Sequence, residues 1–421
     1  MQKTYLPYDQ DQLLLLPPSV REWVEPGDLA HLIDDVVECL NLSAIEAVYQ
    51  VELRGAPPYH PVMMTKLWLY AYAVGVTSSR RLAKLVGRDV GVMMLAAGNR
   101  PDFRTLNTFR QRHLKDLAGL FKQVLKVCRK KGLLGMRHVA IDGTKLRANA
   151  SKHTAMSYGR MKDEEERIGK EIEAWFREAD RVDAAEDRLY GEEQGEELPP
   201  ELRNAERRRQ AIKEAMAELE QEAEAAGKET PLAKAQRNFT DSESRIMRSG
   251  EGAFIQAYNG QVAVDAKHQI IVAADLSNQA ADSVQLVPMV DLVRHNLGRN
   301  PEQISADAGY CSEANLQTLS GRRLDPYVAT GKRSRDRNLP PAPKGRIPSF
   351  FTLRQRMERK LLTKAGRAAY RLRQQVAEPV FGQIKNKGLV RLLLRSEDKC
   401  RAEWLLHCTG HNLCKLQAVW G

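Results

Sequence analysis

The sequence predicts an α/β protein in which a mixed β-sheet is flanked by helices and preceded by an all-helical N-terminal region. Three observations favour this class. Helical periodicity fills residues 1–135, short apolar runs of the β type begin at residue 138, and long charged helices follow the first of those runs. At 421 residues the chain is long enough for more than one domain.

Two features of composition restrict the setting in which the protein works. The apolar runs are too short for a membrane span, which predicts a protein that does not insert in a membrane. Six scattered cysteines in so long a chain indicate a reducing, cytoplasmic compartment rather than a disulfide framework. The formal net charge of +11 favours an anionic partner.

The N-terminal region, residues 1–135, predicts a helical domain. An apolar helix over 60–76 is followed by short helices that end near Val86 and Ala97, and the spacing predicts one long helix from Thr105 to Lys131. Short helices, a glycine turn and a third helix rich in Arg and Lys are typical of a helix-turn-helix. A plain helical bundle fits the same pattern equally well.

Residues 136–421 predict the sheet and its helices. Strands are expected at 138–149, 254–263, 269–274, 303–307 and 325–329, with helices at 281–297 and 313–319 and long helices after them. Residues 155–250 interrupt this order and predict an insertion after the first core strand. Without the insertion, the order of elements is that of an RNase H-like fold.

The insertion predicts a charged helical hairpin, broken at Gly191, Gly195 and Pro199-Pro200. Residues 162–228 carry 12 Lys/Arg and 22 Asp/Glu, a net charge of −10. Long Ala/Glu/Arg runs of this kind form two antiparallel helices with few core positions. Its negative charge makes the hairpin a poor surface for contact with nucleic acid.

Three acidic residues stand out by their context. Asp142 follows the apolar run 139–141, Asp307 follows the run 304–306, and Glu378 lies in a C-terminal helix. Neighbouring strands would place the two aspartates at one edge of the sheet. Three carboxylates that converge in this way can hold two divalent metal ions, which activate water and stabilise the leaving oxygen of a phosphodiester. The sequence therefore predicts an enzyme that cuts or joins nucleic acid.

A basic stretch leads to the third acid. Residues 332–373 hold 14 Lys/Arg and 2 Asp/Glu, a net charge of +12. Arg354, Arg356, Arg359 and Lys360 are therefore candidates for contact with phosphates. A solvated basic loop is the alternative.

The helix around Glu378 has a readable face. Positions seven apart nearly eclipse, so Arg371, Glu378 and Lys385 would share one face with Tyr370 beside it. Pro379 predicts that the helix kinks or restarts at Glu378, because a residue before proline is disfavoured in the α region.

Several motifs together resemble those of bacterial insertion-sequence transposases of the DDE type. They are Asp142-Gly143-Thr144-Lys145-Leu146-Arg147-Ala148-Asn149-Ala150-Ser151, Thr240-Asp241-Ser242-Glu243-Ser244-Arg245-Ile246-Met247, Ala257-Tyr258-Asn259-Gly260-Gln261, Asp307-Ala308-Gly309-Tyr310 and Val376-Ala377-Glu378-Pro379-Val380-Phe381-Gly382-Gln383-Ile384-Lys385. The N-terminal region resembles the N-terminal domain of the same proteins, so the resemblance covers nearly the whole chain.

The resemblance implies a specific activity. It implies an RNase H-like catalytic domain, residues 136–421, in which Asp142, Asp307 and Glu378 bind two Mg²⁺ or Mn²⁺ ions. It further implies double-stranded DNA partners, namely terminal inverted repeats and target DNA, with residues 1–135 binding the DNA ends. A homodimer in the DNA complex, in the bacterial cytoplasm and on the nucleoid when bound to DNA, is expected.

Related transposases share a Tyr-x2-Arg-x3-Glu-x6-Lys signature, from which this chain departs at one point. Tyr370, Glu378 and Lys385 match, but Arg373 has one residue too many before Glu378. Arg371 has the better helical phase for binding a phosphate. The resemblance thus assigns Tyr370, Arg371, Arg373, Lys385 and Lys145 to DNA binding.

Two other functions fit the same residues. A metal-dependent nuclease with this core would cut DNA without joining strands, and a domesticated DNA-binding protein would do neither.

Overall fold

The computed structural model describes residues 19–50, 57–190, 200–250, 252–322, 324–331 and 340–420. The chain divides into two compact units. One extends to Gly135 and includes Lys267–Ile270 and Leu406–Gly421, and the other comprises Met136–Ala266 and Ile271–Leu405. No helix among the described residues is both long and apolar enough to cross a membrane.

The first unit is helical. Its helices are α1 (Leu29–Glu38), α2 (Ser43–Gln50), α3 (Pro61–Val74), α4 (Ser79–Leu85), α5 (Val90–Leu95), α6 (Phe103–Arg112) and α7 (Leu114–Lys130). Helix α3 forms its centre, since Leu67, Trp68 and Leu69 are fully buried. Aspartates begin three of the helices, and the Asp28 carboxylate, for example, accepts the Ala30 N–H at 2.7 Å.

One long helix predicted over 105–131 is wrong, because the chain breaks at His113. This residue ends α6 and precedes α7 with non-helical dihedral angles (φ −106°, ψ 21°). The break lets its imidazole be buried against the Phe109 ring, and Nε2 lies 3.0 Å from the Tyr49 hydroxyl. Tertiary packing of one side chain therefore overrides a helical sequence pattern that continues through it.

The second unit contains the sheet. Its strands are β1 (His138–Arg147), β2 (Ala155–Ser157), β3 (Gln236–Asn238), β4 (Arg245–Arg248), β5 (Phe254–Asp265), β6 (Ile271–Ser277), β7 (Gln303–Ala306) and β8 (Asp325–Val328). Its helices are α8 (Tyr158–Tyr190), α9 (Pro200–Ala225), α10 (Leu286–Leu297), α11 (Glu313–Gly321), α12 (Leu353–Leu362) and α13 (Lys364–Asn386). The last helix, α14 (Glu397–Gln417), begins in this unit.

The predicted mixed sheet flanked by helices is confirmed. Strands follow the order β4-β5-β1-β7-β8, and β6 also pairs with β5. Strand β5 is antiparallel to its partners, whereas β1, β7 and β8 run parallel. Central β1 is covered on both faces, which is why residues 139–141 form an uninterrupted apolar run with no exposed surface.

Helices α8 and α9 pack on each other along an apolar seam that includes Ile168, Ile172, Ile212 and Leu219. Charged pairs flank the seam, such as Arg209 Nε to Glu165 Oε1 at 2.8 Å. Strands β2 and β3 pair where the two helices meet the rest of the unit. The breaks predicted at Gly191, Gly195 and Pro199 lie outside the described residues.

Two predicted boundaries differ from the structure. The insertion was expected to extend to residue 250, yet β4 pairs with β5 in the main sheet and buries Met247. The C-terminal residues 406–421, expected in the catalytic domain, group with the helical unit. There α14 packs closely on α3, because Gly410 has no side chain and a Cβ would meet the Tyr72 backbone at 2.7 Å.

Candidate active site

Two aspartates reach the same level of the sheet on adjacent parallel strands. Ala140 of β1 pairs with Ser305 of β7, and Asp142 and Asp307 follow two residues later in each chain segment. Asp142 accepts the Gly143 N–H at 2.9 Å, while Asp307 accepts the Gly309 N–H at 2.8 Å and begins a short 3-10 turn. Parallel pairing therefore brings together two residues that are 165 positions apart in the chain.

Helix α13 supplies the third acid. A buried stripe that includes Ala369, Val376 and Val380 faces inward, and Glu378 lies beside it with 59% of its side chain exposed. Of the kink or restart predicted at Glu378, the restart is wrong, because the helix continues through Pro379, and the kink stays a prediction. Proline costs a helix one backbone hydrogen bond, and the buried residues on both sides of it hold the helix in place by packing.

Arg373 joins two of the acids. Its Nη1 lies 3.0 Å from Oδ2 of Asp142, and its Nη2 lies 3.6 Å from Oε1 of Glu378. The guanidinium also lies over the Tyr370 ring, 5.6 Å from the centroid. Arg371 is exposed, so its phosphate contact stays a prediction, whereas Arg373 is 7% exposed and contacts the acids.

A sequence signal for Arg373 does exist. It occupies a position of the apolar stripe, four residues after Ala369 and three before Val376. A charged side chain in such a stripe is buried and needs a partner of opposite charge. The extra residue between Arg373 and Glu378 does not prevent their contact, because the arginine side chain is long enough to reach the carboxylate.

Burial and like charges change the acidity of Asp142. Burial, opposed by the Arg373 guanidinium and reinforced by the negative charges of Asp307 and Glu378, raises the pKa of Asp142 to about 6. Both acids act on this carboxyl, so Asp307 and Glu378 each lie within electrostatic reach of Asp142.

A polar network missed by the sequence analysis supports the site from β5. The Tyr310 hydroxyl donates to Oε1 of Gln261, and Nε2 of Gln261 donates to Asp282 at 3.1 Å. Asn259 also donates to Asp282, at 2.7 Å. Burial, then the charges of Asp282, Asp142 and Asp307, raises the pKa of Tyr310 well above its usual value. The sequence signal for this network is the pair of amide residues, Asn259 and Gln261, at alternate positions of the otherwise apolar strand β5.

Two lysines predicted to contact DNA have partners within the protein. Lys145 Nζ lies 3.1 Å from Asp282 Oδ1 and donates to the Ala280 carbonyl at 2.8 Å. Lys385 is exposed, and its Nζ lies 2.9 Å from the Thr144 hydroxyl of β1. Lys145 therefore fixes the acidic network, whereas the charge of Lys385 remains unneutralised by this contact.

The predicted basic stretch is described from residue 340 onward, and its positions 332–339 lie outside the described residues. Three arginines of this stretch donate to backbone carbonyls. Arg354 donates to Thr330, Arg356 to Ser349 and Phe351, and Arg359 to Lys344 and Gly345. Neutral carbonyls leave their charge uncancelled. Lys360 differs, because it forms an ion pair with Asp325 and lies 4.0 Å from the centroid of the Tyr327 ring.

The chemistry of the donors fits a hard divalent cation. Three carboxylates face one guanidinium, which leaves an excess of negative charge, and carboxylate oxygens are the ligands that Mg²⁺ and Mn²⁺ prefer. Among the described residues, however, no three Asp, Glu, His or Cys side chains are close enough to hold an ion as they stand. The ligand types are thus in place, and Arg373 now contacts two of the acids.

Gly143→Ala is expected to lower activity about 10- to 100-fold, as removal of outer-shell support does at metal sites. An added Cβ would collide with the Gln261 amide and lie 3.1 Å from the Tyr310 hydroxyl. Gly382→Ala is the matched control, since a Cβ there meets nothing within 4 Å. It should stabilise α13 by about 0.5–1 kcal/mol. DNA cleavage and thermal melting of both variants check this, and equal activity would contradict it.

Comparison with protein families gives two matches. Residues 227–413 match the family described as Transposase DDE domain, and residues 18–112 match the Transposase domain (DUF772). The first match includes Asp307 and Glu378, while Asp142 lies between the two matches. No curated protein and no solved structure matches the chain. Because the two matches together span most of the chain, it belongs to the DDE-type insertion-sequence transposases, enzymes that cut and rejoin DNA.

Proposed function

We propose that this transposase binds the terminal inverted repeats of its element, cleaves the element ends and joins them to target DNA at a site formed by Asp142, Asp307 and Glu378. The observation that carries the proposal is the convergence of these acids from β1, the end of β7 and α13. Their mutual electrostatic effect supports it.

The three acids are proposed to hold two Mg²⁺ or Mn²⁺ ions. When bound, such ions supply Lewis-acid activation of water or of a 3′-hydroxyl and stabilise the leaving oxygen. The proposed reaction requires no covalent nucleophile from the protein, because positioning of the reactants and stabilisation of charge suffice for phosphoryl transfer.

Arg373 is proposed to be a positioning residue. It orients Asp142 and Glu378. When no metal ion is bound, its positive charge offsets part of the repulsion between the two carboxylates. Tyr310 and Gln261, which lie beside Gly143 of the Asp142 strand, are held in place by hydrogen bonds to each other and to Asp282. Lys385 at Thr144 and exposed Arg371 remain proposed phosphate contacts.

DNA ends are proposed to bind the helical N-terminal region. A groove there of 440 Å³ is lined by Tyr49, Tyr59, Arg104 and Arg112, a combination of aromatic and cationic groups that suits a DNA backbone. We propose that the enzyme works as a homodimer in the DNA complex, since two ends must be processed together.

The decisive experiment is a strand-transfer assay with paired end DNA, a target plasmid and Mg²⁺. Joined products support the proposal. Cleavage without joining would instead indicate a nuclease, and binding without cleavage a DNA-binding protein.

Arg356→Gln is expected to lower the log–log salt slope of DNA binding by about one unit, the value for one lost phosphate contact. Lys360→Gln should leave the slope unchanged, because Asp325 already neutralises that charge. Fluorescence anisotropy between about 50 and 200 mM salt measures both. Equal slopes for wild type and Arg356→Gln would mean that this segment is merely solvated.

A further inference from the structure

A second basic surface lies at the end of β1, away from the segment 332–373. We call it the β1-end groove. It measures 610 Å³ and is lined by residues 147–152, Thr240, residues 253–256, Arg391 and Arg395. Four of its side chains are cationic (Arg147, Lys152, Arg391 and Arg395), and all four are exposed. None of the lining residues in the described part of the chain is acidic, so the groove attracts anions.

The groove is built from a fixed backbone. Leu392 N–H donates to the Arg147 carbonyl at 2.9 Å, and the Asn149 amide donates to the Leu393 carbonyl at 2.7 Å. Fully buried Glu403 accepts the N–H groups of Leu393 and Leu394 at 2.9–3.0 Å. The cations therefore stand on a preorganised wall, which lowers the entropic cost of binding a ligand.

An exposed aromatic ring lies in the same groove. Phe254, the first residue of β5, is 63% exposed. Because the ring is mostly exposed, it contributes little to the hydrophobic core of the protein. Cationic side chains beside an exposed aromatic ring are what single-stranded nucleic acid requires, since phosphates pair with the cations and a base stacks on the ring.

The groove and the candidate active site share strand β1. Asp142 and Arg147 lie on the same strand, about 16 Å apart along it. Their side chains point to opposite faces of the sheet, because successive residues of a strand alternate and the two are five positions apart. Exposed Lys385, which contacts Thr144, lies on the face of β1 that carries Asp142. The groove is therefore a basic surface distinct from the face of β1 that carries the carboxylates.

We propose that the β1-end groove binds an unpaired DNA strand, with Arg147, Lys152, Arg391 and Arg395 contacting phosphates and Phe254 stacking on a base. The inference rests on the proposed function for its DNA substrate. It selects a single strand because both faces of a base in duplex DNA are already stacked.

The test is binding of a fluorescein-labelled 12-nucleotide oligothymidylate to the full chain in EDTA, measured by fluorescence anisotropy. Phe254→Leu and Arg391→Gln are each expected to weaken binding about tenfold. Phe254→Leu keeps an apolar side chain, and an unchanged melting temperature shows that the variant is folded. Trp175→Leu and Arg299→Gln, exposed positions outside the groove, serve as matched controls and should bind as wild type does.

Three outcomes would overturn the groove proposal: no binding of the oligothymidylate by wild type, unchanged binding by both groove variants, or an equal loss for a blunt 12-base-pair duplex. The last would place duplex DNA in the groove. Because EDTA removes catalysis from the measurement, failure of strand transfer with retained groove binding would refute only the proposed function.

Discussion

Asp142→Asn, Asp307→Asn and Glu378→Gln are each expected to lower DNA cleavage by more than about 100-fold in Mg²⁺. Each change removes the charge of one proposed metal ligand and keeps the shape of the side chain. Loss of an outer-shell partner alone typically costs about 10- to 100-fold in a metal site, and loss of a direct ligand costs more. DNA binding should be retained or slightly strengthened, because a negative charge near the phosphates is removed.

Asp291→Asn is a suitable control for this series, since Asp291 lies on α10 with its side chain half exposed and pairs with Arg322. It should cut DNA as wild type does. Cleavage at the wild-type rate by any one of the three site variants would show that its carboxylate is not a ligand.

Asp142→Asn is also expected to make the protein more stable above pH 6 in the absence of metal. An aspartate has a pKa near 3.9 in unfolded chains and about 6 at this position, so the folded state binds the proton more tightly. The free energy of unfolding contributed by Asp142 therefore falls as the pH rises from about 4 to about 6, and stays low above that. The difference amounts to about 3 kcal/mol.

Thermal melting in EDTA between pH 4 and pH 8 measures this effect. The melting temperature of the variant relative to wild type should rise through this range and level off above pH 6. Asp163→Asn removes the same charge from an exposed position of α8 and should show no such rise. Added Mg²⁺ should stabilise wild type more than Asp142→Asn, because a ligand stabilises the state that binds it. A difference independent of pH would contradict the raised pKa.

The parts of the site that could be predicted are those encoded by local pattern. The apolar runs before Asp142 and Asp307 predict strands, and the parallel pairing of β1 with β7 then aligns the two acids. Glu378 could be placed by its motif. Helical phase counted from Glu378 favours Arg371 as a phosphate contact, which stays a prediction, whereas the buried stripe of α13 indicates that Arg373 faces inward.

What could not be predicted depends on contacts between distant parts of the chain. His113 interrupts a helical pattern at a point where its imidazole is buried against the Phe109 ring and contacts the Tyr49 hydroxyl. Asp325 neutralises Lys360 from a strand 35 positions earlier, which no count of charges in the basic stretch reveals. Gly410 marks a close approach of two helices, yet a glycine within a helix is no guide to its partner.

The short β2–β3 ladder has a consequence for how the sheet assembles. Strand β1 must find β5 more than 100 residues later, and pairing over such a distance slows folding. Once Ala155 pairs with Asn238, about 80 of the intervening residues no longer count toward the loop to be closed. That shortening removes about 1 kcal/mol of closure entropy from the β1–β5 step. If the hairpin forms early, while the chain is still being synthesised, it would bring β1 and β5 close enough in space to pair.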